Sequence, residues 1–106
     1  TFDQLEIRIG RVTAVEIEPE AQKPSYKITA DFGKFGVKTT VARLTSHSPE
    51  EILDQLIIGV LNFGTRMVGN TESEFLILGP QYPKADSGEA SFLTMNVPAK
   101  IGGKIF

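Results

Sequence analysis

One helix start stands alone in a chain that otherwise alternates like strands. Ser48-Pro49-Glu50-Glu51 supplies an N-cap serine, a proline suited to the first helical position and the glutamate of an S-x-x-E capping box. The helix it opens has to be short, because the β-rich run Ile57-Ile58-Gly59-Val60-Leu61 follows at once. Ile52, Leu53 and Leu56 are expected on its core side. A single short helix inside a β pattern leaves few architectures open.

The strands around it follow from period-two alternation. Leu5, Ile7 and Ile9 alternate with Glu6 and Arg8, and apolar residues resume at Val12, Ala14, Val15 and Ile17. A long first strand bent at a glycine bulge, Gly10, accounts for both halves. Glu18 to Ser25 holds two prolines and reads as a loop. Tyr26, Ile28, Ala30 and Phe32 form a second strand, and Gly33-Lys34-Phe35-Gly36 turns it into a third through Val37, Thr39 and Val41. Leu56 to Leu61 is the fourth and Phe75 to Leu78 the fifth. Pro80 to Gly88 reads as a loop, Ser91 to Met95 as a short extra strand, and Val97 to Phe106 as an extended tail. Three strands, a short helix and two strands match a mainly β, five-stranded OB-fold barrel with an extended C-terminal segment. The length of 106 residues suits one domain spanning residues 1–106.

Composition removes several chemistries. The chain has no cysteine, which excludes disulfides, thiolate catalysis and cysteine-ligated zinc. Its one histidine, His47, builds no His-rich metal site and reads as a loop residue before the helix. No run is long enough to span a membrane, and no basic start with an apolar stretch marks a secretory leader. Asp31-Phe32-Gly33 matches the kinase triplet by accident, without its catalytic loop. No grouping of nucleophile, base and oxyanion donors is present, so the expectation is a binding protein that is not an enzyme and uses no cofactor.

Charge argues both ways about the partner. The net charge of −2 speaks against a purely electrostatic DNA binder. Its distribution is uneven: Lys23, Lys27, Lys34, Lys38 and Arg43 face only Asp31 within their stretch. That stretch is either a locally basic face or a set of solvated strand and loop lysines.

The candidate site lies mostly in Asn62-Phe63-Gly64-Thr65-Arg66-Met67-Val68-Gly69 and the following Ser73-Glu74. Apolar runs flank this polar hairpin. Asn62 ends a strand, where an amide either reads an unpaired base edge or fixes the turn through the backbone. Arg66 offers a planar fork for phosphate or for stacking on a base, or is simply an exposed hairpin residue. Met67 is an apolar shelf beside it or part of the core. Ser73 offers a hydroxyl to phosphate or ribose, and Glu74 stands beside it; the alternative is a turn residue and a solvated carboxylate. Among the aromatics, Phe32 and Phe63 fit the core pattern. Phe35, at a hairpin tip between glycines and beside Lys34 and Lys38, is the candidate for outside contact.

These segments in order resemble the CsaA-type branch of the stand-alone tRNA-binding domains, a domain also appended to some methionyl- and phenylalanyl-tRNA synthetases. The matching pieces are Leu5-Glu6-Ile7-Arg8-Ile9-Gly10, Ala21 to Lys27, Asp31-Phe32-Gly33, Ser48 to Leu53 and the Asn62 to Gly79 signature. Gly64-Thr65 stands where this branch often has two prolines, and the helix lacks the family's usual terminal glycine near Asp54. The resemblance implies a cytoplasmic homodimer that recognises tRNA through the barrel face and the 62–74 hairpin. RNA contacts then fall on Asn62, Arg66, Met67, Ser73, Glu74, Lys34, Phe35 and Lys38. It also implies an alternative, a chaperone for unfolded or exported polypeptides, with Phe35, Phe63 and Met67 lining its groove. Apolar residues at both ends (Phe2, Leu5, Ile101, Ile105 and Phe106) add to the expectation of a dimer.

Overall fold

Phe32 is the residue around which the barrel closes. Its ring is fully buried and meets Phe75 edge-on, with centroids 4.9 Å apart and planes at 76°. Two glycines make room for it. A Cβ on Gly10 would lie 2.6 Å from the ring, and one on Gly59 would lie 2.8 Å from it. Any side chain at either place would collide with the largest fully buried side chain of the core.

The computed structural model describes residues 4–81 and 90–106. β1 (Ile7–Ile17), β2 (Tyr26–Asp31), β3 (Val37–Ala42), β4 (Leu56–Val60), β5 (Arg66–Val68), β6 (Thr71–Ser73) and β7 (Leu76–Ile77) are its strands, and α1 (Pro49–Ile52) its one α-helix. A five-stranded antiparallel sheet runs β3-β2-β1-β4-β7, and β5-β6 form a separate hairpin. The long β1 serves both halves of the sheet. Its first part pairs with β4, from Ile7 opposite Val60 to Arg11 opposite Leu56, and its second with β2. The sheet edges approach where the Thr40 hydroxyl donates to the Phe75 carbonyl (2.7 Å) and the Glu74 amide donates to Thr39 O (2.8 Å). The result is a nearly closed five-stranded barrel of the OB type, as the strand order leads one to expect. Among the described residues no helix is long and apolar enough to cross a membrane.

Several local expectations need correction. The bulge of β1 is not at Gly10, which pairs in register with Ile57; the register shifts between Val12 and Ala14. Gly10 is needed for the approach of Phe32 instead. Of the helix residues, Ile52 is fully buried but Leu53 is exposed. Leu53 is already the C-cap, and the chain leaves the helix through Asp54 at φ 67°, a left-handed residue standing in for the usual glycine. The helix start follows the sequence: Glu51 accepts the Ser48 amide at 2.7 Å, and this bond is the main reason its carboxyl titrates below the ordinary range.

Ser91 to Met95 forms no strand. It runs beside the end of β7 through Ser91 N to Pro80 O (2.9 Å) and Leu93 N to Leu78 O (3.2 Å). Of the expected 80–88 loop, residues 82–88 lie outside the described residues. The tail is extended only at its end. Gly102 N donates to Ile9 O (2.7 Å), Ile9 N to Gly103 O (3.0 Å) and Ile105 N to Ile7 O (3.1 Å), so the tail covers the edge that β2 leaves open on the first half of β1. Leu5 and Phe106 are exposed, Ile101 and Ile105 are half-buried, and Phe2 lies outside the described residues.

Candidate nucleic-acid interface

The β5–β6 hairpin is held out from the barrel by polar side chains. At its tip, Gly69 adopts φ 60° and packs so closely that a Cβ would lie 2.9 Å from the backbone of Glu20. Beside it, Glu18 is buried and accepts hydrogen bonds from the Thr71 hydroxyl and from the amide of Glu20, the latter at 3.1 Å. These donors, Thr71 first, hold the Glu18 carboxyl below the usual carboxylate range, against the opposing effect of burial. At its base, Ser73 Oγ and Thr40 Oγ1 are 3.0 Å apart. Glu74 accepts both the amide (2.9 Å) and the hydroxyl (3.1 Å) of Thr39, whose hydroxyl also reaches Glu72 O.

The expectation that Asn62, Ser73 and Glu74 offer hydrogen bonds to RNA therefore meets side chains already engaged within the chain. Asn62 is the clearest case. Its Oδ1 accepts the Glu6 amide at 2.8 Å and its Nδ2 donates to Gln4 O at 2.7 Å, which clamps the segment leading into β1 to the end of β4. Arg66 and Met67 differ: both side chains are exposed on β5, Met67 at 63%.

Lys34, Phe35 and Lys38 lie elsewhere. They occupy the 3₁₀ turn Gly33–Phe35 and the start of β3, at the opposite end of β2 from the hairpin tip. Phe35 does not project as a free hairpin-tip ring. It packs half-buried against the core, with the Arg8 guanidinium 4.5 Å and Lys34 Nζ 5.4 Å from its centroid. Lys34 and Phe35 thus stand apart from the hairpin, while Lys38 directly precedes Thr39, whose amide and hydroxyl bond Glu74 at the hairpin base.

A groove of ≈ 610 Å³ joins the hairpin to the barrel wall. Its apolar side is Val41, Ala42, Leu44, Phe63, Leu76 and Ile77; its polar side includes Arg43, Arg66, Thr65 and Ser73. Among the described residues its lining contains two arginines and no carboxylate. Phe63, expected in the core, is 66% exposed at the groove mouth. It follows the end of β4 and precedes Gly64 at φ 92°, so the chain has left the sheet before Phe63 can turn inward. Arg43 is the functional candidate that strand reading counted only as charge. Its signal was its place, one residue past the end of β3 and just before the buried Leu44. His47 is tied into the fold: its Nε2 lies 2.9 Å from Ser91 Oγ and its ring meets Phe92 edge-on.

No protein-family model matches the chain. Among curated proteins it is similar to the methionine–tRNA ligase of Pyrococcus horikoshii, with 34% identity over 106 residues. That match covers 98% of this chain but only 14% of the ligase, so the chain spans about one seventh of the curated relatives it matches. Among solved structures it superposes on a CsaA chaperone protein from Picrophilus torridus with TM-score 0.88 and 32% identity, covering 99% of this chain and 94% of that one. The chaperone CsaA of Bacillus anthracis superposes with TM-score 0.87 and 36% identity, with the same coverage of both chains. Likeness of this degree over nearly the whole of both chains, in sequence as well as shape, establishes that the chain belongs to the CsaA family.

Proposed function

We propose that the chain is a non-catalytic module that binds structured RNA, tRNA foremost, through the barrel face and the 62–74 hairpin. The observation that carries this reading is the charge of the groove. In a chain of net charge −2, the groove sets Arg43 and Arg66 beside the exposed Phe63 and, among its described lining residues, no acid; the exposed Met67 lines an adjoining cleft with the same two arginines, Lys23 and Glu20. Guanidinium groups suit phosphates, and exposed rings and thioethers suit splayed bases. Kinship with a segment of a methionine–tRNA ligase supports the same partner. In this reading Arg66, Met67, Arg43 and Phe63 touch RNA, while Ser73 and Glu74 hold the hairpin in position and Asn62 clamps the segment before β1 to the end of β4. Lys34 and Phe35 belong to a second surface, and Lys38 lies between it and the hairpin base, next to Thr39. The compartment that accompanies this role is the cytoplasm.

A second reading has its own observation. The apolar side of the groove would accept an unfolded or exported polypeptide, and the two similar solved proteins are called chaperones. A salt-titrated binding assay against total tRNA, with an unfolded polypeptide as competitor, separates the two. RNA binding weakens steeply with salt because phosphate contacts release counterions, whereas apolar capture of a polypeptide does not. Tight, salt-insensitive binding of the polypeptide with no affinity for tRNA would reverse the order of the readings.

We further infer a homodimer. Leu5, Leu93, Val97 and Phe106 are exposed apolar side chains on a small barrel that leaves them uncovered. Light scattering that finds only monomer at micromolar concentration would refute it.

A further inference from the structure

The tail builds a second cationic cleft, remote from the hairpin groove. Gly33, at φ 66°, would bring a Cβ within 3.2 Å of Ile101 O, and Gly102, at φ 78°, within 2.7 Å of Phe32 O. These two glycines let the 3₁₀ turn and the tail turn lie against each other. The consequence is electrostatic. Lys34 from one turn and Lys100 and Lys104 from the other converge with Arg8 of β1 around a cleft of ≈ 400 Å³. Its other lining residues are Ile101, Gly102 and Gly103.

Arg8 is positioned there by three neighbours. Its side chain bonds Glu6, its Nη1 donates to Gly102 O (3.3 Å), and its guanidinium lies over Phe35. Glu6 is the one carboxylate found in contact with these cations among the described residues. Asp31, close in sequence, spends its carboxylate on the Gly33 amide (2.8 Å) and does not line the cleft. Four cations facing one carboxylate in an acidic chain repel one another, and an anionic ligand relieves that repulsion.

We propose that this cleft binds phosphates of the RNA backbone as a second contact point. The inference rests on the RNA-binding reading of the hairpin groove and extends it. The two places lie at opposite ends of β2. Gly69 of the hairpin packs on Glu20 before β2, and the cleft is built on the turn after it. Six strand residues at about 3.3 Å each set them roughly 20 Å apart. A single nucleotide does not bridge that distance. A folded RNA does, so the pair of contacts selects for an extended, structured polyanion.

The test compares wild type, Lys100→Ala/Lys104→Ala and Arg66→Ala for tRNA binding across a range of salt, with melting curves for each. The double variant is expected to melt like wild type and to bind roughly tenfold more weakly, with a salt slope shallower by roughly 1.4–1.8. Lys100→Arg/Lys104→Arg keeps the charges and is expected to keep the affinity. Lys34→Ala, on a different segment, is expected to repeat part of the loss should the double variant melt early. Unchanged affinity and slope in the double variant, while Arg66→Ala weakens binding, overturns the cleft and leaves the hairpin reading standing. No binding of tRNA by wild type overturns the hairpin reading, and the cleft with it.

Discussion

Beneath Phe32 the molecule is held by shape; at the β5–β6 hairpin it is held by polar side chains. The barrel centre fits one ring against two bare glycines and a second ring, with no polar atom of a side chain involved. The hairpin has little apolar surface of its own to bury. It is fixed through Glu18 to Thr71, Thr39 to Glu74 and Thr40 to Ser73. The difference teaches which residues are available for a partner. Where shape holds the fold, nothing is exposed to bind with. Where hydrogen bonds hold it, the polar residues are consumed as anchors, and Arg66, Met67 and Phe63 between the anchors are the ones presented outward.

The largest effects should come from breaking the shape-held region. Phe32→Ala is expected to cost about 3–5 kcal/mol of stability. That is a large share of the roughly 5–15 kcal/mol available to a domain of this size. Gly59→Ala puts a methyl 2.8 Å from the same ring and is expected to cost about 1–3 kcal/mol. Chemical denaturation curves check both. If Gly59→Ala melts like wild type, the ring has room to move and the close fit is wrong.

Next comes the exposed residue of the hairpin, where the comparison calls for the opposite pattern. Arg66→Ala should leave the denaturation midpoint within about 0.5 kcal/mol of wild type, as for most surface changes. Its tRNA affinity should fall by about 1–3 kcal/mol, the value of a charge-assisted contact. A normal fold with unchanged tRNA binding would remove Arg66 from the interface.

Asn62→Ala sharpens the line between anchor and contact. Its two bonds to the backbone of Glu6 and Gln4 give it a structural role despite its exposure. The expected loss is about 1 kcal/mol of stability. Discrimination between tRNA and a DNA hairpin of similar charge should not change. A selective loss of that discrimination at normal stability would return Asn62 to the set of base-reading residues.

The fold was legible because its signals are local. Period-two alternation marks β1 to β4, and Ser48-Pro49-Glu50-Glu51 marks the helix start without reference to anything distant. The bulge was misplaced because Gly10 looks like a bulge glycine in sequence, while its reason is Phe32, twenty-two residues away in the chain. The candidate site was half legible for a related cause. Residue type identifies Asn62, Ser73 and Glu74 as able to hydrogen-bond. Only the fold reveals that Thr39, Thr40, Gln4 and Glu6 take those bonds first. Phe63 was assigned to the core by its neighbours in sequence, and the end of β4 decides otherwise. The cleft around Arg8 had no sequence signal, because its cations come from three separate segments.

The smallest effect on global stability, and the finest test of the comparison, is acid. Glu18 has its pKa lowered in the fold, chiefly by the Thr71 hydroxyl and then by the Glu20 amide, with Lys27 adding a little. The sign follows from linkage. A carboxyl that ionises more easily folded than unfolded stabilises the fold above its unfolded pKa, near 4.3, and loses that contribution as pH falls through the lower folded value. What is lost first is local, because the Glu18 carboxylate joins the hairpin tip to the loop after β1, and its hydrogen bonds go to Thr71 and Glu20 and not to the apolar cluster around Phe32. Between pH 5 and pH 3, the protection of amides at residues 69–73 against hydrogen exchange, measured relative to their intrinsic rates at each pH, should therefore fall more than the protection at Ile28 and Ile57. Glu18→Gln keeps the shape without the charge. It should show fast hairpin exchange already at pH 7 and lose most of the acid dependence there. Equal loss of protection in hairpin and core would mean that the two regions open together, and that the hairpin is no separate unit held by its own polar anchors.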